Sequence, residues 1–227
     1  WSVKRLHRLM VLSATYRQSS QHRPELIELD PRNRLFARQS RQRVEAEVIR
    51  DIALTASGLL SRKIGGPSVF PFQPEGYYSD KGRWKWPQST GRDLYRRGLY
   101  TFWRRTTTYP SFQIFDAPTR ETCTVQRPRT NTPLQSLGLL NEKQRLEMSR
   151  VLAERLLHER KDDAARLDLL FTLLACRKPT DGERAACMGL LKTLRTRYAA
   201  ALAKRLRCIP QPRQTAIERS AYDLACQ

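Results

Sequence analysis

Three features of the sequence predict a mainly helical fold. Apolar residues recur at helical spacing near the start of the chain and again around residues 43–62. From Asn131 onward the same spacing is nearly continuous. Between about residues 64 and 130 it is lost, and this segment holds six of the ten glycines, more than half of the prolines and every tryptophan except Trp1. The prediction is therefore a helical domain with an irregular, aromatic-rich middle and room for one or two short strands. With 227 residues the chain is long enough to bury a sizeable core. Residues 1–207 read as one such domain, and 208–227 as a degenerate C-terminal tail.

The elements follow in order. In "VKRLHRLMVLSATY" the positions Val3, Leu6, Leu9, Met10 and Ala14 fall on one helical stripe, which predicts an amphipathic helix over 3–16. The following "RQSSQHRPELIELDPRNRL" is polar and punctuated by proline, so a loop with one helical turn is expected. Val44, Val48, Ile52, Ala56, Leu59 and Leu60 predict a second helix over 43–62, stopped by Gly65, Gly66 and Pro67. "GLYTFWRRT" is too short for periodicity to separate a strand from a helical turn. Four helices then follow, over 133–140, 142–158, 162–176 and 181 to about 207. Pro179 ends the third of these, and Thr180 with Glu183 three residues on forms a capping box for the last.

Composition excludes more than it assigns. Forty-two basic residues against 22 acidic ones give a formal charge of +20. The excess is +6 in residues 1–50, +7 in 51–135 and +7 in 136–227, which fits a generally basic surface better than a basic tail or a single patch. No apolar run reaches the roughly 20 residues of a membrane span. The five cysteines form no C-x-x-C pair, and His7, His22 and His158 stand far apart, so neither set has metal-ligand spacing. Walker, G-x-G-x-x-G, H-E-x-x-H and G-x-S-x-G signatures are absent, and the sequence names no reaction.

The stretch "RPRTNTPLQSL" carries the most suggestive chemistry. Pro133 suits the first position of a helix and Thr132 its cap, which leaves Arg127, Arg129 and Asn131 unexplained. Two readings are open. The arginines pair with Asp116, Glu121 or another acid, or they deepen an anion site at the helix start. The first reading leads, so Arg129→Ala is expected to lower stability more than affinity. Just upstream, "FDAPTRETC" gathers Asp116, Arg120 and Glu121 beside Cys123, whose thiol could be activated by neighbouring cations. In the middle segment Tyr77, Tyr78, Trp84, Trp86, Tyr95, Tyr100 and Trp103 alternate with Arg and Lys. Such faces fill a core, the leading reading, or stack sugar rings and bases.

Four blocks together, "WSVKRLHRLMVLSATYRQSS", "RDLYRRGLYTFWRRT", "FDAPTRETCTVQRPRTNTPLQSLGLLNE" and "RKPTDGE", resemble the C-terminal domain of large planctomycete-type secreted proteins, which also carry a c-type cytochrome domain. The resemblance runs from Trp1 to about Tyr198 and implies a mostly helical fold and export. It implies that the domain is N-terminally truncated here. It also implies that haem c belongs to another domain of the full-length protein, since C-x-x-C-H is missing from this sequence. Tyr16, Arg17, Gln18, Arg127, Arg129, Asn131 and Gln135 carry over as members of the family motifs, with no catalytic role attached. The C-terminal "IERSAYDLACQ" departs from the apolar helix that closes the family pattern.

The expected function is that of a partner- or anionic-glycan-binding or structural module in a polysaccharide-processing redox system. Arg120, Arg127, Arg129, Asn131, Trp84, Trp86 and Trp103 are its candidate ligand residues, and no metal site is expected. One alternative is a carbohydrate-oxidising site using Asp116, Arg120 and Glu121. The other is nucleic-acid binding through the basic surface, weakened by the even spread of charge and by the implied export.

Overall fold

A computed structural model describes residues 1–21, 23–74, 76–77 and 85–207. It is mainly helical, and among the described residues there is no sheet. The helices are α1 (Val3–Leu12), α2 (Glu25–Leu29), α3 (Ala46–Ser57), α4 (Pro110–Ile114), α5 (Pro133–Asn141), α6 (Lys143–Glu159), α7 (Asp163–Ala175) and α8 (Asp181–Arg207), with short 3-10 turns at Gly91–Tyr95 and Gly98–Tyr100. The expected tail, residues 208–227, and with it Cys208 and Cys226, lies outside the described residues.

Two predicted helices are shorter than their apolar stripes. α1 ends at Leu12 because Ser13 turns the chain: its hydroxyl donates to the Met10 carbonyl at 2.8 Å and accepts the Tyr16 N–H at 3.2 Å. A serine that satisfies the backbone locally competes with continued helix. α3 stops at Ser57 because Gly58 takes φ +80°, after which the Leu60 N–H returns to the Leu54 carbonyl at 3.1 Å. Leu59 and Leu60 thus leave the helix before Gly65 is reached.

The chain divides into two compact units. The first comprises residues 1–55 and 59–148. Its core is Ala46, Tyr109, Phe112, Phe115 and Ala117, with Ile49, Trp86, Trp103 and Ile114 packed around it. Phe70 stacks on Phe102 at 4.8 Å and meets Trp86 edge-on at 5.1 Å, while Tyr109 meets Phe112 edge-on at 5.1 Å. The middle segment therefore builds a core from rings instead of from helix faces. Its backbone is held by isolated bridges, Ser61 to Arg96 and Val69 to Thr101, so "GLYTFWRRT" supplies both a 3-10 turn and a bridge. α4 packs on α5, where an added Cβ at Gly138 would lie 3.5 Å from Ile114.

The buried face of α3 keeps only Ala56 of the expected stripe. Val48 and Ile52 are exposed, and the helix turns Ala46, Arg50 and Leu54 inward. Arg50, 4% exposed, donates to the Gln144 side-chain oxygen at 2.7 Å and to the Leu94 carbonyl at 2.6 Å. Polar anchoring thus chooses the face. Opposite it, Gly98 approaches so closely that a Cβ would lie 2.8 Å from the Glu47 carbonyl oxygen, and its N–H donates to Asp51 at 2.6 Å.

Among the described residues, the second unit comprises 56–58 and 149–207. Within it Asp163 of α7 receives Arg195 of α8 at 2.5 and 3.0 Å, and Asp168 receives Arg184 at 2.5 Å. The capping box predicted for α8 forms, with the Thr180 N–H donating to Glu183 at 2.8 Å and the Glu183 N–H to the Thr180 hydroxyl at 3.4 Å. α7 is capped by Asp162, which accepts the Ala165 N–H at 2.8 Å, and it ends in Cys176 at φ 53°.

Candidate functional site

The loop before α5 lies beside the start of α3, and together they enclose a cleft of about 360 Å3 in the first unit. Its lining includes Arg43, Glu45, Asp116, Arg127, Pro128 and Arg129. Asp116 sits at φ 62°, a left-handed conformation that an aspartate tolerates through local hydrogen bonding. Its carboxylate accepts the Thr130 N–H at 2.8 Å and the Thr130 hydroxyl at 2.7 Å. Desolvation alone would raise the Asp116 pKa. The Thr130 bonds, with the charge of Arg43 and the Gln135 amide, instead hold it below the ordinary carboxylate range.

Gln135, 2% exposed on the first turn of α5, connects these groups. Its side-chain oxygen accepts Arg43 and, at 3.4 Å, the Thr132 N–H. Its amide nitrogen donates to the Thr130 hydroxyl at 3.2 Å and to Asp116 at 3.5 Å. Thr132 is the N-cap and Pro133 follows it, as their residue types predict. A buried polar network of this kind rigidifies the wall it belongs to.

The two arginines of the loop part company. Arg127 forms a fork on Glu47 at 2.8 and 3.2 Å and lies 3.3 Å from Glu45. That geometry raises the Arg127 pKa, first through the hydrogen bond to Glu47. Burial alone would raise Glu47, but the Arg127 hydrogen bond holds it below the usual range. Arg127 thus ties the loop to α3, through acids other than the Asp116 and Glu121 suggested by sequence proximity. Arg129 is exposed on the cleft and makes no ion pair among the described residues, and Asn131 is likewise exposed.

Of the remaining candidates, Arg120 lies with its guanidinium 4.0 Å over the Trp103 ring. The Trp103 indole donates to the Thr119 carbonyl at 3.2 Å and the Trp86 indole to the Pro71 carbonyl at 2.7 Å, so both rings pack into the aromatic core with their N–H groups satisfied. Trp84 and Tyr78 lie outside the described residues. Tyr16 and Arg17 are exposed, and Gln18 is half-buried with its side-chain oxygen unpartnered. The structure does not gather these three with the α5 network. Cys123 is exposed and free. Among the described residues no group of His, Cys, Asp and Glu has metal-holding geometry, and no helix is long and apolar enough to cross a membrane.

Sequence reasoning missed Arg43, Glu47, Arg50 and Arg96. Arg96 is 1% exposed and donates to the carbonyls of Pro67 at 3.0 Å, Lys63 at 3.3 Å and Gly65 at 2.5 Å. The only signal for it was its place in the "RDLYRRGLYTFWRRT" block.

A helical module with a ring-built core and an arginine-flanked helix start is the class that this fold and cleft define. The family model described as Protein of unknown function (DUF1553) matches residues 1–191, and the chain belongs to that family. No curated protein and no solved structure matches it.

Proposed function

We propose that the chain is a binding module for an anionic partner, an acidic polysaccharide first, and that Arg129 receives it at the cleft beside α5, with the exposed Asn131 two residues on as a further polar contact. The observation that carries this reading is the exposed guanidinium of Arg129, without an ion pair among the described residues, on a cleft of about 360 Å3. The wall around it is held by the Arg127–Glu47 fork and the Gln135 network, so the receiving group stands on a preorganised support. Arginine forks recognise carboxylate and sulfate-type groups through paired N–H donors. Arg120 on the Trp103 face adds a cation to the same irregular segment.

The wider setting rests on the family resemblance of the motif blocks. In this reading the module belongs to an exported, cytochrome-c-linked protein of a polysaccharide-processing system, and haem c is carried by another domain. Binding to an array of sulfated and uronic polysaccharides, with DNA as control and at two salt concentrations, tests it. Selective glycan binding that survives the higher salt and weakens at least five-fold in Arg129→Ala is the expected result. Equal, salt-erased binding to every polyanion, or an unchanged R129A variant, would overturn it.

A further inference from the structure

We infer that a second cleft, walled by residues 61–63 and 90–93, is an oxyanion site that takes a sulfate- or phosphate-type group. It encloses about 470 Å3 and is lined by Ser61, Arg62, Lys63, Thr90, Arg92 and Asp93. Three cations there face one carboxylate. Arg62, Lys63 and Arg92 are exposed and make no ion pair among the described residues, so their charges are available to a ligand. A concave site dominated by one sign of charge concentrates counter-ions.

The second observation lies in the buried charge tied to the walls. Arg96 is fully buried, and its guanidinium donates only to carbonyl oxygens, those of Lys63, Gly65 and Pro67, while stacking 3.7 Å over the Tyr100 ring. Among the described residues its Nε has no partner. The bridge from Ser61 to Arg96, closed by the Ser61 N–H on the Tyr95 carbonyl at 2.9 Å, and the bond of Arg96 to the Lys63 carbonyl tie this buried charge to one wall. Next to the other wall in sequence, Arg50 holds the Leu94 carbonyl, one residue beyond Asp93, and among the described residues its Nε is also unpartnered. Asp51 and Glu142 act on Arg50 electrostatically but are shared with Arg97 at 3.0 Å and Arg145 at 2.9 Å. Two buried guanidinium groups held by carbonyl and amide dipoles, each bonded at or next to a lining residue, add a positive potential that an anion in the cleft would offset. The Thr90 hydroxyl and the arginine forks offer the donors that a tetrahedral oxyanion accepts.

The site is independent of Arg129, and its test keeps the two apart. The full chain is titrated calorimetrically with inorganic sulfate and, separately, inorganic phosphate, with sodium chloride holding ionic strength constant. Both titrations are run on R129A, which removes the first cleft's receiving group; saturable binding of at least one anion is expected to persist there and to weaken at least five-fold when R62Q/R92Q is added, and the tighter anion identifies the ester class. Both substituted side chains are exposed, so the double variant should melt as the parent does in chloride. Should it fail to fold, the single variants Arg62→Gln and Arg92→Gln are titrated, each expected to weaken binding at least two-fold. No saturable binding of either anion, or parental affinity in the variants, overturns the inference.

Discussion

Arg127 reaches Glu47 across 80 residues of sequence, and Gln135 reaches Arg43 across 92, so a pair of helix starts is held together by single side chains. Each makes a specific expectation. Arg127→Ala leaves Glu47 without its fork; because the pair is partly exposed, the loss should be about 1–2 kcal/mol, read as a lower denaturant midpoint with unchanged slope. Glu47→Gln in the same background should then cost little more, which a double-mutant cycle checks. Arg129→Ala, lacking an ion pair, should leave the midpoint within about 0.5 kcal/mol of the parent, reversing the order expected from sequence. At Gly98 the opposing atoms belong to the Glu47 backbone and cannot yield as a side chain would, so Gly98→Ala should cost about 1–3 kcal/mol by overpacking.

Among the helices, α8 illustrates how a terminus is set. The Arg177 fork on Glu183 at 2.6 and 2.7 Å, followed by the Thr180 N–H, holds the Glu183 carboxyl down at about 2. A folded pKa depressed in this way adds stability that is present above the unfolded value of roughly 4.3 and is lost as pH falls toward about 2. Thermal melts of the parent should therefore decline over that window more steeply than those of Glu183→Gln. Equal slopes would mean that the box does not contribute. α3 and α1 make the complementary point: apolar periodicity extended both helices too far, because Gly58 and Ser13 impose backbone geometry that overrides it.

For the whole molecule, charge and exposed apolar surface set the solution behaviour. A net +20 distributed along the chain predicts weak association with any polyanion, with affinity falling steeply as salt rises. Only selectivity that outlasts salt would reveal a site above that background. α1 adds a different property, since Val3, Leu6, Leu9 and Met10 are each more than half exposed. Exposed apolar stripes promote self-association. Leu6→Lys with Met10→Lys should lower the light scattering of concentrated solutions, and it should leave the melting temperature within a degree or two because neither side chain is buried.

The helical class, the described helices other than α4, the Thr180–Glu183 box and the Thr132–Pro133 start of α5 were legible in the sequence, because caps and periodicity are local and act over three or four residues. Local spacing also exposed the irregular middle through its glycines, prolines and rings. Tertiary structure alone decided which face of α3 is buried, that Arg127 takes Glu47 while Arg129 has no ion pair among the described residues, and that Arg50 and Arg96 lie inside the protein. These outcomes depend on partners some 30 to 90 residues away. A buried arginine is settled by the carbonyls and amides that the fold brings to it, and no local pattern encodes their arrival.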